Sequence, residues 1–355
     1  MIGFVIYVHL LRLLAPLLLL TVLCGSAAVV MGRTVPRAAQ LVFMQRAGYD
    51  ASIFVIDIER GTRAALFTVP PALPADLPRL SADGQRIIFE FWAESGLALR
   101  ALDLARRSLY ATDPALQDRL PGWSPDGTQI AFWSNRMSPS VRSNRWQNWN
   151  FYVVDVNTTT IRQITSSLSL LPYHLPLWSP DSQRILLNYW RPNQGAGMYL
   201  VELATGSTRT LTGEIETGSD LAWSPDSAHI AFRANPNRDS EIYLLHVETN
   251  TIENLTDHAG NDFEPAWSPD GRQIAFTSNR DGRGEIYVMN ADGSQVRRIT
   301  AGGGWHPIWS PDGTRIAYMS SRTGNNAYHV VNVDSSADQF VIDTQQHALL
   351  GWLAP

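Results

Sequence analysis

Carboxylate and imidazole side chains that could bind a ligand recur at one point of a repeated sequence pattern, three residues before a recurrent tryptophan. Three successive repeats carry an acidic residue or a histidine there, namely Asp220, Glu264 and His306. Three other repeats carry leucines there, namely Leu120, Leu175 and Leu349. Basic side chains stand one position before two of these leucines, namely Arg119 and His174. If the fold brings these positions together, they could bind a cation or a cationic ligand. The alternative is a set of solvated residues that cap strand ends. No dedicated metal site is predicted.

A second candidate surface lies in the one long interval of the pattern, 55 residues from Trp123 to Trp178. Its extra length falls mainly in Met137–Asn150. Tryptophan and arginine are enriched at the energetic centres of protein interfaces, and long loops on a rigid scaffold often carry function. The segment holds four such side chains, namely Arg142, Arg145, Trp146 and Trp149. We predict either a partner-binding loop or, as the alternative, tryptophans that fold back onto their own repeat.

Motifs of catalysis are missing from the sequence. The serine-hydrolase elbow Gly-x-Ser-x-Gly and the metal-binding helix motif His-Glu-x-x-His do not occur. The run Gly302–Gly304 lacks the lysine of a phosphate-binding loop. We therefore predict a binding module without a cofactor. The alternatives are a hydrolase or lyase that uses the clustered histidine and acidic residues, and a sensor of a small ligand or cation.

A sequence repeat predicts the strands that would position these residues. The string Trp-Ser-Pro-Asp begins at five tryptophans, namely Trp123, Trp178, Trp223, Trp267 and Trp309, and a degenerate copy begins at Leu80. From Leu80 the spacings are 43, 55, 45, 44 and 42 residues. A period near 43 residues is the length of one four-stranded blade of a β-propeller.

The interior of each repeat is typical of such a blade. In the repeat of Trp267, the predicted strands are Ala266–Ser268, Gln273–Ser278, Glu285–Asn290 and Gln295–Thr300. Pro269-Asp270-Gly271 supplies the chemistry of a tight turn between the first two. No helical periodicity intervenes, so the repeat predicts an antiparallel meander.

The two ends of the repeated region complement each other. Leu41–Phe43 and Ile53–Ile58 are typical of the second and third strands of a blade whose first strand is missing. Leu350–Trp352 is typical of a first strand with no blade after it, and it follows Trp309 by 43 residues. Pairing of these ends would close a ring of seven blades without an exposed edge. The predicted fold is thus all-β, a single seven-bladed propeller over residues 40–354.

The repeated motif resembles that of the TolB-type, WD-repeat-like β-propeller family, which is also related to the propeller halves of dipeptidyl-peptidase-like proteins. The resemblance covers about residues 38–354, and Ser278–Met289 matches especially closely. It implies the propeller fold. TolB itself carries an α/β domain ahead of its propeller, and the short stretch from Gly32 to Gln40 leaves no room for one. We therefore do not carry over a specific role in the Tol system.

Residues that repeat around the ring are interpreted as structural. The tryptophans would fill the wedges between neighbouring blades, and the Asp-Gly and Asp-Ser pairs would form hairpin turns. Four arginines, each four residues past an aliphatic run, would hydrogen-bond within the second hairpin, namely Arg136, Arg191, Arg280 and Arg322. Function is therefore expected where the repeats differ.

The first 32 residues predict export of the body, by one of two routes. Leu13–Leu23 could be the apolar core of a cleaved signal peptide, followed by small residues at Ser26–Ala28. Alternatively, Leu13–Met31 is just long enough to span a bilayer as a retained anchor. The single cysteine, Cys24, follows Leu23, where acylation would favour a small residue. Residues 33–39 would be a linker.

The predicted partner follows from location and charge. A net charge of −5 gives no basic surface for nucleic acid. We expect a periplasmic or extracellular module, or one anchored through residues 13–31, that binds a protein or a cell-wall component. Contact with the membrane would involve the N-terminal segment alone.

Overall fold

The computed structural model describes residues 39–47, 50–69, 78–93, 96–103, 108–112, 117–136, 149–165, 175–191, 195–211, 217–236 and 239–353. Within these ranges the chain forms seven four-stranded sheets, numbered here as blades 1 to 7 in chain order. No helix in these ranges has the length and apolar character needed to cross a bilayer. The predicted export segment lies outside the described residues.

The first three blades are built from twelve strands, given from the first strand of each sheet to the last. Blade 1 comprises β28 (His347–Trp352), β1 (Gln40–Ala47), β2 (Asp50–Asp57) and β3 (Thr62–Val69). Blade 2 comprises β4 (Arg79–Leu80), β5 (Arg86–Ala93), β6 (Gly96–Asp103) and β7 (Ser108–Ala111). Blade 3 comprises β8 (Asp118–Trp123), β9 (Gln129–Ser134), β10 (Asn150–Asp155) and β11 (Ile161–Gln163).

The other four blades follow the same order. Blade 4 comprises β12 (Leu177–Trp178), β13 (Arg184–Arg191), β14 (Gly195–Glu202) and β15 (Thr208–Leu211). Blade 5 comprises β16 (Thr217–Trp223), β17 (His229–Ala234), β18 (Glu241–His246) and β19 (Thr251–Asn254). Blade 6 comprises β20 (Asp262–Trp267), β21 (Gln273–Ser278), β22 (Glu285–Asn290) and β23 (Arg297–Arg298). Blade 7 comprises β24 (Trp305–Trp309), β25 (Arg315–Ser320), β26 (Ala327–Asn332) and β27 (Asp338–Asp343).

The second strand of a blade is apolar on both faces because each face packs against a different neighbour. In β21, Ile274, Ala275 and Phe276 are all fully buried. Ile274 and Phe276 join a cluster with residues of blade 5, whereas Ala275 packs with residues of blade 7. Side chains alternate between the faces of a strand, so the uninterrupted aliphatic run in the sequence is the consequence of being packed on both sides.

The recurrent tryptophans join neighbouring blades, as predicted. Each indole Nε1 donates to a backbone carbonyl of the preceding blade, over 3.0–3.2 Å. The six pairs are Trp123 with Arg79, Trp178 with Gly122, Trp223 with Leu177, Trp267 with Ala222, Trp309 with Ala266, and Trp352 with Ile308. Leu80 occupies the tryptophan position of blade 2. At the junction of blades 1 and 2, the position that supplies the indole donor elsewhere is therefore a leucine.

The turn chemistry predicted for the repeated Ser-Pro-Asp segments is also present. In blade 3, the Ser124 hydroxyl donates to Asp126 Oδ1 over 2.6 Å, and the same oxygen accepts the backbone N–H of Thr128 over 2.9 Å. The serine-to-aspartate bond recurs in six blades, through Ser81, Ser124, Ser179, Ser224, Ser268 and Ser310. The aspartates are thus part of the hairpins.

The ring is closed by its two ends, as the sequence predicts. Strand β1 pairs antiparallel with β28, in the register Leu41 to Trp352 and Phe43 to Leu349, with an irregularity between Val42 and Phe43. The first strands of neighbouring blades contact one another at five of the seven junctions, namely β28 with β4, β4 with β8, β8 with β12, β16 with β20, and β20 with β24. The first strands therefore line the centre, and their ends surround the mouth of the central channel.

Candidate functional site

Three of the predicted binding residues meet at the channel mouth. Asp220, Glu264 and His306 lie on the first strands of blades 5, 6 and 7. The His306 Nδ1 atom lies 2.6 Å from Glu264 Oε1, and the Glu264 backbone N–H donates to Asp220 Oδ2 over 3.4 Å. Residues 42 and 44 positions apart in sequence are thus neighbours. The repeat spacing alone predicts this convergence.

The local backbone at the mouth is a β-bulge. In β20, Phe263 pairs with Thr277 and Ala266 with Ala275, so Glu264 and Pro265 together face one residue of β21. Glu264 has φ of +58°, and the equivalent His306 has φ of +57°. A non-glycine residue in this left-handed region costs on the order of 1–3 kcal/mol. The bulge turns the residue toward the mouth, and proline is tolerated after it because bulges leave N–H groups out of the ladder.

Carboxylates of the preceding blade stabilise these bulges. The backbone N–H of His306 donates to Glu264 Oε2 over 2.8 Å. The backbone N–H of Glu264 is held by Asp220, and that of Leu120, with φ of +51°, by Glu90 over 2.5 Å. Each acid therefore links its own blade to the next. Asp220 and Glu264 have a structural task whatever else they bind.

Ion pairs fix the charges at the mouth. Asp220 accepts from Arg233 Nε over 3.2 Å, and Glu264 accepts from the Thr277 hydroxyl over 2.8 Å in addition to His306. Burial opposes ionisation of Glu264, but the hydrogen bonds from His306 and Thr277 lower its pKa overall. The hydrogen bond to Glu264 raises the pKa of His306, and the charges of Glu264 and Asp220 add to the effect against partial burial. The pair therefore favours imidazolium beside carboxylate.

A cavity of about 450 Å³ opens beside this cluster. Its walls combine the polar residues with apolar ones, namely Leu221, Pro265, Pro307, Ile308, Met319, Tyr328 and Leu349. The His306 side chain is 57% exposed, and Ile308 is 39% exposed. A mixed pocket of this size suits a small ligand or an inserted side chain.

Sequence analysis missed a second ring of mouth residues. Glu90, Arg233 and Thr277, which contact the bulges, all follow the last aromatic residue of the aliphatic run on the second strand of a blade. Met319, at the same position of blade 7, lines the cavity. These positions differ from repeat to repeat, so the same rule that singled out Glu264 would have found them.

The other predicted binding residues are distributed differently. Arg119 lies partly buried on β8, opposite Trp133. Trp149 is only 4% exposed and belongs to a core cluster with Trp133 and Phe151 of its own blade and with residues of blade 4, so it is part of the core rather than of an exposed loop surface. Four of the predicted residues lie outside the described residues, namely Arg142, Arg145, Trp146 and His174.

Three of the four repeated arginines take the structural positions that were predicted for them. Arg136 and Arg280 each contact the serine two residues earlier and a buried aspartate of the same blade. Arg322 pairs instead with Asp338 and His329. The side chain of Arg191 lies outside the described residues. None of the three lines the mouth cavity.

The chemistry available at the mouth is recognition by hydrogen bonds and apolar contact. Within the described ranges, no group of three or more His, Cys, Asp or Glu side chains is arranged to hold a metal ion. The exposed face of His306, as imidazolium, can donate a hydrogen bond, and Ile308 offers apolar contact. Both are accessible from the channel mouth.

Comparison with known proteins places the architecture in context. A family model described as the TolB beta propeller domain matches residues 140–348, which is more than half of the chain. TolB from Acinetobacter baumannii is 17% identical with a TM-score of 0.51, over 91% of this chain and 87% of that one. No curated protein sequence matches the chain significantly.

Two enzymes share the fold at similarly low identity. Oligogalacturonate lyase from Vibrio parahaemolyticus is 14% identical with a TM-score of 0.65, over 86% of this chain and 89% of that one. A puromycin-hydrolyzing peptidase from Mycobacterium tuberculosis is 16% identical with a TM-score of 0.62, over 87% of this chain and 54% of that one. At such identities these likenesses concern the fold alone, which hosts several functions.

Proposed function

The chain belongs to the TolB β-propeller domain family, and from this premise we propose that it is an exported, non-catalytic binding module of the cell envelope. Its mouth cavity holds an extended segment of a protein partner, which inserts an apolar side chain between blades 6 and 7. His306 provides a hydrogen bond to the segment, and Glu264 orients the imidazole.

The observation that carries the proposal is the combination of exposed apolar and polar surface in one rigid pocket. Ile308, which is 39% exposed, lines a cavity of about 450 Å³ together with the exposed imidazole of His306. Exposed apolar surface in a concave site favours burial by a partner, at about 25 cal/mol per Å². The bulges and their carboxylate contacts fix the site before binding, which limits the entropy that binding must overcome.

The state of Glu264 favours binding over catalysis. A general base works best when its pKa lies near the working pH. The hydrogen bonds from His306 and Thr277 lower the pKa of Glu264 against the effect of burial, so the carboxylate holds protons weakly. It also accepts the backbone N–H of His306. Such a group supports structure better than it transfers protons.

Export rests on the N-terminal sequence. Leu13–Met31 is apolar enough for either a cleaved signal or a retained anchor. Either route carries the propeller across a membrane, with residues 33–39 as the linker and 40–354 as the binding body. N-terminal sequencing of the mature protein distinguishes the two routes.

The test is site-specific photo-crosslinking of the full-length protein in living cells. A photoreactive residue replaces Ile308, which is 39% exposed, or Val296, which is 40% exposed and precedes the last strand of blade 6. We expect a discrete crosslinked protein from position 308 alone. Replacing His306 by Ala should lower the yield at 308 at least ~10-fold, the loss typical of a contact near an interface centre.

Three results would contradict this function. Equal crosslinking from positions 308 and 296 would mean that the mouth is not the binding surface. Turnover of a peptide or oligosaccharide by the purified protein, lost in His306→Ala, would establish the enzymatic alternative. Calorimetric binding of a divalent cation, lost in His306→Ala, would favour the cation sensor.

A further inference from the structure

Blades 3 and 6 each hold an arginine in the same aromatic clamp. In blade 6, Arg280 Cζ lies 5.4 Å from the ring centroid of Phe276 and 5.0 Å from that of Tyr287. Its Nη2 donates to the buried Asp262 over 2.7 Å. In blade 3, Arg136 lies 5.0 Å from Phe132 and 4.7 Å from Tyr152 and pairs with Asp118 over 3.0 Å. Stacking of guanidinium on an aromatic face with a carboxylate partner is a favourable arrangement.

Blade 5 keeps the aromatic pair but lacks the arginine. Phe232 and Tyr243 lie opposite each other with ring centroids 5.8 Å apart, like Phe276 and Tyr287 at 5.9 Å. The position four residues past Phe232, where blade 6 has Arg280, is Pro236. The clamp of blade 5 thus has no guanidinium of its own at this position.

The strand register identifies two further substitutions around the same place. Tyr287 pairs with Arg298, whereas Tyr243 pairs with Asn254. Seven residues past the equivalent phenylalanines, blade 6 has Arg283 and blade 5 has Asp239. Three arginine positions of blade 6 are therefore proline, asparagine and aspartate in blade 5.

A cavity of about 260 Å³ occupies this part of blade 5. Tyr243 and Pro236 line it together with three carboxylic acids, namely Asp239, Glu241 and Asp257. The remaining lining residues are Asn254, His258 and Ala259. An aromatic surface and three acids surround the space, and none of the described residues that line it is an arginine.

The electrostatics show an excess of negative charge. Burial raises the pKa of Glu241, and the carboxylates of Asp262 and Asp257 raise it further against two hydrogen bonds. Burial raises the pKa of Tyr243, with added effect from Glu241 and Asp257. Asp262 is fully buried and already paired with Arg280, and it does not line the cavity, so the charge to be balanced there is that of the three lining acids. A cation in the cavity would relieve this repulsion.

We propose that blade 5 binds an alkyl-guanidinium group, the arginine side chain of a protein partner, in the place that Arg280 and Arg136 fill in their own blades. The guanidinium lies against Tyr243 and donates to Glu241 and Asp257. Guanidinium offers five donors in a plane and is weakly hydrated, so it suits an aromatic and acidic pocket better than ammonium does. A free amino acid is disfavoured because its own carboxylate would approach three acids.

The test is calorimetric titration of the purified full-length protein with three capped tripeptides, Gly-X-Gly, in which X is arginine, lysine or citrulline. Citrulline keeps the shape of arginine without the charge. We expect saturable binding of the arginine peptide and at least ~10-fold weaker binding of the citrulline peptide. Citrulline loses the cation–π contact and the charged hydrogen bonds, and together these contribute more free energy than a tenfold change in affinity requires. L-arginine with a free carboxylate should bind more weakly than the arginine peptide.

Variants connect binding to the cavity. Pro236→Arg restores the arginine of the sister blades and should abolish binding by filling the site. Asp257→Asn, at an exposed acid, should weaken binding roughly 3- to 10-fold, as expected for one charged contact. Asp334→Asn, an exposed acid of blade 7, is the matched control and should bind like the wild type. A thermal melt of each variant verifies folding.

Three outcomes would overturn the proposal. The first is no binding of the arginine peptide by the wild type, and the second is equal binding by wild type, Pro236→Arg and Asp257→Asn. The third concerns Arg238, which lies outside the described residues. If the peptide binds to Arg238→Ala alone, the chain's own arginine fills the cavity and no partner is required.

Discussion

At the scale of single residues, Glu264 connects two blades and also orients the most exposed polar group of the mouth. Its carboxylate accepts from the Thr277 hydroxyl of its own blade and from the backbone N–H of His306 in the next. The imidazole of His306 completes the set over 2.6 Å. Because one carboxylate makes both the backbone contact and the imidazole contact, replacing Glu264 would disturb the fold and the binding site together. Replacing the side chain of His306 removes the imidazole and leaves the backbone contact with Glu264 in place.

The first prediction concerns the pH dependence of this pair. The pKa of His306 is raised in the folded chain, so its contribution to stability is complete below the ordinary imidazole pKa of ~6.5 and is lost as the pH rises through the higher folded value. We therefore expect wild type to melt at a higher temperature than His306→Gln near pH ~6, with the difference narrowing toward pH ~9. Thermal melts across this range measure it.

A matched comparison is His258→Gln, which removes an exposed histidine from blade 5. Its melting temperature should follow that of the wild type across the range. If the gap between wild type and His306→Gln widens as the pH rises, the interaction with Glu264 does not favour imidazolium, and the electrostatic description of the mouth is wrong.

At the scale of elements, the arginine clamp stabilises the second hairpin of a blade. In blade 6 the side chains of Arg280 and Asp262 are 13% and 1% exposed and form a 2.7 Å ion pair. Removal of one partner leaves a buried charge without compensation, which costs about 3–5 kcal/mol. We predict that Arg280→Met lowers the free energy of unfolding by about 3 kcal/mol, measured by urea denaturation.

The double variant Arg280→Met with Asp262→Asn should recover part of this loss, because it removes the unpaired charge. Arg272→Met is the control, since that side chain is 85% exposed and its effect should stay within ~0.5 kcal/mol. If Arg280→Met lowers the free energy of unfolding as little as Arg272→Met does, the arginine does not stabilise the hairpin. The comparison of blade 5 with blade 6 would then give no reason to expect a guanidinium in blade 5.

Much of this element-level organisation follows from the sequence. A period near 43 residues and a motif tryptophan in six of the seven repeats predict the blades, their closure through Trp352 and the meeting of Asp220, Glu264 and His306. The bulges are not predicted, since Glu264 and Leu120 are not residue types that favour positive φ, and His306, whose type does, is only one of the set. The proline at position 236 can be read from the sequence. Its importance follows only from the structure, in which Arg280 stacks on Phe276 and Tyr287 of blade 6 while blade 5 has the equivalent ring pair Phe232 and Tyr243.

The sequence also does not predict which tryptophans of the long interval are buried. Trp149 has the composition of a hot-spot residue, but a side chain 4% exposed in the core cannot contact a partner without local opening. Large aromatic side chains serve cores and interfaces alike. Residue type and loop length therefore leave the choice open, and packing against Trp133 and Phe151 decides it.

At the scale of the whole molecule, the ring consists of sheets that contact mainly their neighbours. Such repeats have stabilities that sum over units and interfaces, so a weakened interface is expected to open first. The closure at blade 1 combines two features of that kind. It joins the two ends of the described body through β1 and β28, and at the next junction Leu80 occupies the position from which a tryptophan donates in the other blades.

The last prediction is that the ring opens at blade 1 before it unfolds elsewhere. Trp352→Ala removes the hydrogen bond to Ile308 and the side chain beside Leu41. Native-state hydrogen exchange should then accelerate in β1 and β28 while blades 4 to 6 keep their protection. Among the described strands, β1 and β28 are the only neighbours within a blade that do not follow each other in the chain.

The control is Trp267→Ala, which removes the equivalent indole between blades 5 and 6. It should instead lower protection around the ring, since no chain end there can separate. If both variants accelerate exchange uniformly, the ring unfolds as one cooperative unit, and closure through the chain ends is as strong as any other interface.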